Sequence, residues 1–169
     1  MASGGTPNIT IEPLGDQHSR AAFSCGDNVI DRWCKKTAPA EHAKYKSRSF
    51  VATRTGENNV IGIYSLSMRS LSASTLHNSG YSKEVPALYF AALGVCTADM
   101  NQGIGSALMV DAFKRALRVA DDVGAYCLWL DCISEAKAKF YEDRQFARIK
   151  PGKLDMYVLM QTLRDGFTP

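Results

Sequence analysis

The sequence lacks the features of membrane, secreted and fibrous proteins. Nowhere in its 169 residues does an apolar run approach the roughly 18 residues that a transmembrane helix needs. The N-terminus has neither the basic nor the apolar region of a secretory signal peptide. We therefore expect a cytoplasmic protein that does not bind a membrane.

Paired cysteines are lacking as well. The five cysteines are odd in number, and no two of them form a C-x-x-C pair. Three lie inside apolar runs, so we expect all five to be reduced and half-buried. No metal site is predicted.

What is present is ordinary for one globular domain. Hydrophobic residues make up 46% of the chain and charged residues 22%, with 13 Gly and 6 Pro. This composition excludes collagen, a disordered chain and a disulfide-stabilised miniprotein. Because the length suits one core, we expect a flexible leader at residues 1–7, a domain at 8–163 and a tail at 164–169.

The net charge is only +3, but the positive charge is concentrated in one segment. Between Arg32 and Arg54 seven basic residues face one acid, so this segment carries +6 and the rest of the chain −3. Such a field attracts polyanions: a phosphorylated cofactor, a nucleic acid or an acidic peptide. The alternative is a solvated helix and loop without a partner.

Hydrophobic periodicity and turn residues predict alternating strands and helices. Asp27 is the predicted N-cap of the first helix, Pro39 is its predicted end, and residues 70–86 form a long connection. The predicted elements, in chain order, are a strand at 8–13, a helix at 25–38, a hairpin of strands at 49–54 and 59–67, a strand at 88–96, a helix ending near Gly124, a strand at 126–132, a helix from Ser134 to about Asp143, and strands at 146–149 and 155–160. This order fits one mixed α/β sheet.

A glycine-containing turn before the second predicted long helix has the features of an anion site. Its sequence is Gln102-Gly103-Ile104-Gly105-Ser106-Ala107. Glycines allow a ligand to approach the backbone closely, and the first amides of a helix lie at the positive end of its dipole. The turn would suit a pyrophosphate, or it is only a tight connection. Leu108 stands where the dinucleotide fingerprint needs glycine, and the lysine of a P-loop is absent.

This turn and a later helix resemble the GNAT superfamily of acyl-CoA-dependent N-acetyltransferases. The family pattern Gln/Arg-x-x-Gly-x-Gly/Ala is matched by Gln102, Gly105 and Ala107. The family's Phe/Leu-Tyr-Glu-x-x-Gly-Phe is matched by 140–146, except that Gln145 replaces the glycine. The resemblance spans residues 8 to 160 and implies a single GNAT-like domain of mixed α/β (α+β) class. The implied sheet is mixed, mostly antiparallel and of about seven strands, with flanking helices and a splayed strand pair that binds acyl-CoA.

The first half of the chain also resembles the acetyltransferase toxins of bacterial toxin-antitoxin pairs. The resemblance is carried by Phe23-Ser24-Cys25-Gly26, Ile30-Asp31-Arg32-Trp33, Lys35-Lys36-Thr37-Ala38, Ser49-Phe50-Val51-Ala52 and Gly62-Ile63-Tyr64-Ser65-Leu66-Ser67. Toxins of this group acetylate the α-amine of aminoacyl-tRNA and so stop translation, and a ribbon-helix-helix antitoxin neutralises them. The resemblance implies the same acceptor and partner here, acetyl-CoA as the cofactor, and is compatible with a homodimer.

The GNAT resemblance also implies a role for each site residue. Main-chain groups of Leu93, Gly94 and Val95 would bind the pantetheine arm, with the Val95 amide facing the thioester oxygen. Tyr141 would protonate the leaving sulfur, since a phenol of pKa about 10 keeps its proton at neutral pH. The remaining cofactor contacts would be Gln102, Gly103, Ile104, Gly105, Ser106, Ala107 and Ser134. The alternative for Tyr141 is a purely structural role, packing its helix against the sheet.

No residue stands out as a general base. The three histidines, His18, His42 and His77, lie outside the recognised motifs, and Glu84 would have to act through water. At pH 7 about a tenth of an α-amine of pKa about 7.7–8.0 is deprotonated, against fewer than about one in a thousand lysines of pKa about 10.4. A site without a base therefore favours an α-amine acceptor.

The basic segment is the predicted contact for RNA, where side chains would hold phosphates without reading sequence. Trp33 is expected in the core because it lies at helical spacing from Ile30, whereas Tyr45 is either an exposed stacking residue or a packed one. The residues predicted to bind the RNA are Lys35, Lys36, Lys44, Lys46 and Arg48.

Two other functions compete with this interpretation. An acetyltransferase for a polyamine, an antibiotic or a protein N-terminus would need an acidic acceptor cleft, and the acceptor-side segments are basic or neutral. A catalytically silent acyl-CoA-binding module would not need Tyr141.

Overall fold

The computed structural model describes residues 7–167. The strands are β1 (Ile9–Pro13), β2 (Arg48–Arg54), β3 (Val60–Ser72), β4 (Glu84–Val95), β5 (Cys127–Asp131), β6 (Ala147–Arg148) and β7 (Asp155–Leu159). The helices are α1 (Asn28–Arg32), α2 (Ala38–Ala43), α3 (Ile104–Asp122), α4 (Glu135–Glu142) and α5 (Met160–Phe167). A π-helical segment, Trp33–Thr37, joins α1 to α2. The predicted leader lies outside the described residues except for Pro7, and so does the end of the predicted tail.

The seven strands form one sheet in the order β1-β2-β3-β4-β5-β7-β6. Strand β2 pairs antiparallel with β1 and β3, and β7 pairs antiparallel with β5 and β6. Strand β4 pairs parallel with β5 through Ala87, Leu88 and Tyr89. The predicted mixed, mostly antiparallel sheet of seven strands is therefore confirmed.

The chain groups into two compact units, and each is assembled from two stretches of sequence. The first contains residues 7–66 and Ala92–Ala112. Its core includes Phe23, Val51, Ile63 and Cys96, and Trp33 packs against it as predicted. This unit carries β1, β2, α1, α2 and the start of α3.

The second unit contains Ser67–Ala91 and residues 113–167. Its core includes a cluster of four buried apolar residues, Leu76, Val85, Ala87 and Cys127. Partly buried aromatic side chains pack against that cluster: Tyr126, Trp129 and Tyr157. This unit carries β5, β6, β7, α4 and α5.

The five cysteines are free, as predicted, and they are buried rather than half-buried. Burial raises the pKa of Cys34 and Cys127 to about 12. Since only a thiolate is a good nucleophile, these thiols are chemically inert at neutral pH.

The prediction that the first helix ends at Pro39 is wrong. Asp27 caps α1 as predicted, its Oδ1 accepting from the Val29 amide at 2.8 Å. The π-helical segment then widens the turn, and its last bond runs from the Ala38 amide to the Trp33 carbonyl. Pro39 falls in the first turn of α2, where a missing N–H costs nothing. The helical stretch therefore continues to Ala43.

Two further boundaries differ from the predicted ones. Strand β3 runs to Ser72 and β4 begins at Glu84, so the connection between them spans 73–83 rather than 70–86. Helix α5 was not predicted, because the strand pattern of the preceding residues was extended to Met160. Met160 and Leu163, both buried, lie about one helical turn apart and anchor this helix. Residues 164–167 of the predicted tail are the end of this helix.

No helix within residues 7–167 is long and apolar enough to cross a membrane.

Candidate active site

The predicted anion-binding turn lies at the N-terminus of α3. Gly103 has a φ of 80° and Asn101 a φ of 61°, so the backbone turns sharply into the helix through the left-handed region. The Ala107 amide makes the first bond of the helix, to the Gly103 carbonyl at 3.0 Å. The amides of Ile104 and Gly105 precede that bond, so the helix offers them no acceptor, and they are available to an anion. We expected the Ala107 amide among the phosphate contacts, but it already donates to the Gly103 carbonyl.

An arginine holds this turn in place. Arg54 Nη2 donates to Asp99 Oδ1 at 2.5 Å and to Gln102 Oε1 at 3.1 Å. The carboxamide of Gln102 therefore braces the turn from outside and leaves the backbone to face a ligand. Sequence reasoning counted Arg54 only as part of the basic segment. No local motif connects Arg54 with residues more than forty positions later, so this contact has no signal in the sequence.

The end of β4 presents an amide away from β3. The Cys96 amide donates to the Ile61 carbonyl of β3 at 2.8 Å. Successive N–H groups of a strand point to opposite edges, so the Val95 amide points to the other edge of β4. A Cβ built on Gly105 would lie 3.8 Å from Val95 Cγ2, which places the predicted phosphate-binding turn, residues 102–107 (below, the phosphate turn), beside this strand end.

Two residues just before Val95 shape the backbone of β4. Ala92 has a φ of 55°, a left-handed conformation that is costly for a residue with a side chain. Gly94 is packed so tightly that an added Cβ would lie 3.0 Å from Ile30 Cγ2 and 3.3 Å from Phe23 Cζ. Gly94 is thus closely packed against the core of the first unit, and Leu93 lies half-buried between Ala92 and Gly94. The sequence did not indicate the strained Ala92.

Tyr141 lies on α4 in an aromatic cluster. Its side chain is 9% exposed, and its ring meets Phe90, Phe140 and Phe146 edge-on at centroid distances of 6.4, 5.2 and 5.5 Å. Burial raises the pKa of Tyr141 well above its usual value, and the neighbouring Cys132 thiol raises it further. The phenol is therefore fully protonated over the physiological pH range.

The glycine-to-glutamine departure at position 145 leaves the turn after α4 intact. Gln145 adopts a φ of 74°, the conformation that glycine normally supplies. Its amide donates to the Glu142 carbonyl at 3.1 Å, and the Phe146 amide donates to the Tyr141 carbonyl at 3.1 Å. These two bonds define a Schellman motif, with Gln145 in the left-handed position. The backbone that holds Tyr141 is thus the one expected with glycine.

Ser134, predicted to touch the cofactor, caps α4. Its Oγ accepts from the Lys137 amide at 3.2 Å. This bond satisfies one of the unpaired amides at the helix start. Ser134 and Tyr141 belong to the second unit, whereas the phosphate turn and Val95 belong to the first.

All five residues predicted to bind RNA lie in the first unit, along the helical stretch, in the turn that follows it and at the first position of β2. Arg48 is half-buried, and its Nη1 donates to the His42 carbonyl at 3.0 Å. The four exposed members are Lys35, Lys36, Lys44 and Lys46.

The two histidines of the first unit are structural. His18 is buried, accepts from the Gly15 amide at 2.9 Å and lies 2.8 Å from Glu12 Oε1. His42 Nδ1 accepts from the Ser49 amide at 3.0 Å. Burial and the nearby Arg48 lower the pKa of His42, so it is neutral at pH 7. Neither ring is available as a general base.

Within residues 7–167 no three His, Cys, Asp or Glu side chains come close enough together to hold a metal ion.

No protein-family model matches the chain. Comparison with individual known proteins finds relatives that match over most of its length. The probable toxin TacT of Sinorhizobium fredii is 30% identical over 97% of this chain and 98% of its own length. A tRNA-acetylating toxin of Mycobacterium tuberculosis is 27% identical over 89% of this chain and 92% of its own length.

Solved structures of similar fold agree with these relatives. AtaT complexed with acetyl-methionyl-tRNAfMet superposes with a TM-score of 0.86 at 20% identity, covering 95% of this chain and 99% of AtaT. A tyrosine-to-phenylalanine mutant of AtaT, bound to the C-terminus of the antitoxin AtaR and acetyl-CoA, has a TM-score of 0.83 at 19% identity, covering 96% and 99%. At these identities the structures establish a shared fold.

Proposed function

The chain belongs to the TacT family of acetyltransferase toxins, and from that membership we propose that it transfers an acetyl group from acetyl-CoA to the α-amine of aminoacyl-tRNA. Acetylation of that amine removes the nucleophile of peptide-bond formation and stops translation. The observation that carries the proposal is the match to TacT over nearly the whole of both chains.

Acetyl-CoA is the cofactor that the first unit fits. Bound there, it would supply an activated acetyl thioester. The backbone of Gln102, Gly103, Ile104, Gly105 and Ser106 would hold the pyrophosphate, supported by the brace from Arg54. Ala107 would offer the cofactor a small side chain beside the turn. Ser134, which caps α4, would make a further contact. Main-chain groups of Leu93, Gly94 and Val95 would hold the pantetheine arm.

Two groups of this chain would act on the reacting atoms. The Val95 amide, which points away from β3, would donate to the thioester oxygen as negative charge develops on it. The Tyr141 phenol would donate its proton to the departing thiolate. Its raised pKa keeps the phenol protonated at neutral pH and excludes it as a base.

The acceptor requires little further help. His18 and His42 are occupied by structural hydrogen bonds. An α-amine of pKa about 7.7–8.0 supplies its own neutral fraction near pH 7, so a dedicated base is unnecessary. The exposed lysines of the first unit and Arg48 would hold the phosphates of the tRNA.

The biological setting follows from the substrate. We place the protein in the cytoplasm, where aminoacyl-tRNA is made and used. Its partner would be a ribbon-helix-helix antitoxin, as AtaT binds the antitoxin AtaR. A homodimer is compatible with this assignment.

The test is acceptor labelling with radiolabelled acetyl-CoA. The protein is incubated separately with charged tRNA, polyamines and peptides, and label on charged tRNA that alkaline deacylation releases as an N-acetyl amino acid is the expected result. Label confined to the polyamine or peptide pool would replace this function with that of a small-amine or N-terminal acetyltransferase. Tyr141→Phe protein in the charged-tRNA arm controls for contaminating activity.

A further inference from the structure

Tyr45 occupies a position where neither burial nor backbone geometry favours tyrosine. It follows the last turn of α2 and is 82% exposed. Its φ is 56°, in the left-handed region that favours glycine. The Tyr45 amide donates to the His42 carbonyl at 3.3 Å and the Lys46 amide to the Glu41 carbonyl at 3.0 Å, so Tyr45 is the left-handed residue of a Schellman motif.

Tyrosine at this position is therefore unfavourable for stability in two respects. Glycine would adopt the same backbone without strain, and a side chain that is 82% exposed buries little apolar surface. A residue that lowers the stability of the fold is a candidate for a binding role.

The surroundings of the ring indicate what it binds. The Arg48 guanidinium lies 5.0 Å from the ring centroid and is itself fixed by the His42 carbonyl at 3.0 Å. Lys44 and Lys46, the chain neighbours on either side, are exposed cations. A ring that the Arg48 guanidinium covers on one side, with two exposed lysines adjacent in the chain, offers its other face for stacking and nearby cations for phosphates, which is how single-stranded nucleic acid is bound.

We propose that Tyr45 is a stacking platform for an unpaired nucleobase of the acceptor RNA, with Lys44, Lys46 and Arg48 holding the adjacent phosphates. The proposal rests on the proposed function, since it assigns a contact to the same substrate. It goes further by naming a residue that recognises an unpaired base and contributes no charge.

The first experiment compares stability with affinity. Tyr45→Gly relieves the strained backbone and removes the ring, so its Tm should rise while its Kd for charged tRNA increases about five- to hundredfold. Tyr45→Phe keeps the ring and should match the parent in both. Gln145→Gly makes the same backbone change in the other Schellman motif, and should raise the Tm without changing that Kd.

Salt separates stacking from charge. The slope of log Kd against log salt should be the same for Tyr45→Gly and the parent, because no charge is lost, whereas Lys44→Ala should flatten it by about 0.7 to 0.9. A flattened slope for Tyr45→Gly would overturn the stacking role by showing that the variant disturbs the surrounding cations.

A spectroscopic experiment reports the stack directly. In Tyr45→Trp protein, a short single-stranded RNA should quench the added indole emission, and a blunt RNA duplex of the same sequence should not, because its bases are already stacked. The parent measures the background from its two tryptophans. Equal quenching by both RNAs would overturn the proposal.

The outcomes also separate this proposal from the proposed function. If Tyr45→Gly acetylates charged tRNA with the parent's KM, Tyr45 is not a stacking residue and the acetyltransferase assignment stands. If the variant loses binding of an antitoxin peptide while its Kd for tRNA is unchanged, the platform belongs to a protein partner and the RNA proposal fails. If the parent itself does not acetylate charged tRNA, the proposed function fails, whatever the RNA quenching shows.

Discussion

At the scale of single residues, the same helix ending occurs twice with a residue other than glycine in the left-handed position. Tyr45 follows α2 and Gln145 follows α4, with φ values of 56° and 74°. In both, paired backbone bonds close the turn, so the geometry is set by the hydrogen bonds and the side chain has to accept it. The position of the turn can be inferred from a sequence, but its φ values cannot when the usual glycine is missing.

Replacing Gln145 with glycine should stabilise the protein. The left-handed backbone is strained for glutamine and unstrained for glycine, which outweighs the greater flexibility of glycine in the unfolded chain. We expect the free energy of unfolding to rise by about 1 kcal/mol and the Tm by roughly 2–4 °C. Urea unfolding measures the change, with Gln145→Ala as the control that retains the strain. A fall in stability would mean that the glutamine side chain makes contacts worth more than the strain.

Replacing Tyr141 with phenylalanine should remove catalysis and keep the fold. The ring contacts with Phe90, Phe140 and Phe146 do not involve the hydroxyl, so the Tm should change little. Loss of a general acid should lower kcat by about 10²–10⁴-fold, with the acetyl-CoA affinity unchanged. Induced expression of the parent in bacteria should arrest growth, and the variant should not. Equal toxicity at equal abundance would show that another group protonates the thiolate.

At the scale of elements, the sequence predicts those whose signals are local. The apolar stripe of α3, the Ser134 cap of α4 and the β-rich strands of the β2–β3 hairpin are each encoded in adjacent residues, and the structure has them. The helix end predicted at Pro39 was wrong because the widened π-helical turn that accommodates this proline has no sequence signature. The brace from Arg54 to the phosphate turn was missed because it joins distant parts of the chain.

The N-terminus of α3 should respond to charge. Acetyl-CoA at a hundredfold excess over its Kd should stabilise the parent by about 2.7 kcal/mol. A Cβ fits at Gly105, since its first neighbour would be Val95 Cγ2 at 3.8 Å, so substitution there should not prevent folding. Gly105→Glu should abolish the thermal shift by repelling the phosphates, and the neutral isostere Gly105→Gln should retain more of it. A full shift with Gly105→Glu would refute the cofactor assignment.

At the scale of the whole molecule, the uneven charge predicts how tRNA binding depends on salt. The affinity for charged tRNA should fall log-linearly with salt, each phosphate contact adding about 0.7 to 0.9 to the slope. Alanine at Lys35, Lys36, Lys44 or Lys46 should flatten the slope by about that amount, and acetylation of a free aminoacyl ester should not change. Lys150→Ala, an exposed lysine outside the basic segment, is the matched control. Identical slopes for all variants would leave the segment as a solvated surface.

The division of the first unit between two stretches of chain bears on how the protein is made. Residues 7–66 lack part of their core until Cys96 is synthesised, since its side chain lies in that core and its amide donates to Ile61. The phosphate turn comes later still, and Tyr141 only after about another 35 residues of synthesis, or roughly two to seven seconds at 5–20 residues per second. A chain interrupted before the turn would therefore lack both the proposed cofactor site and the proposed general acid, Tyr141. By this order of synthesis, acetylation of aminoacyl-tRNA would begin only after the α4 helix has been made.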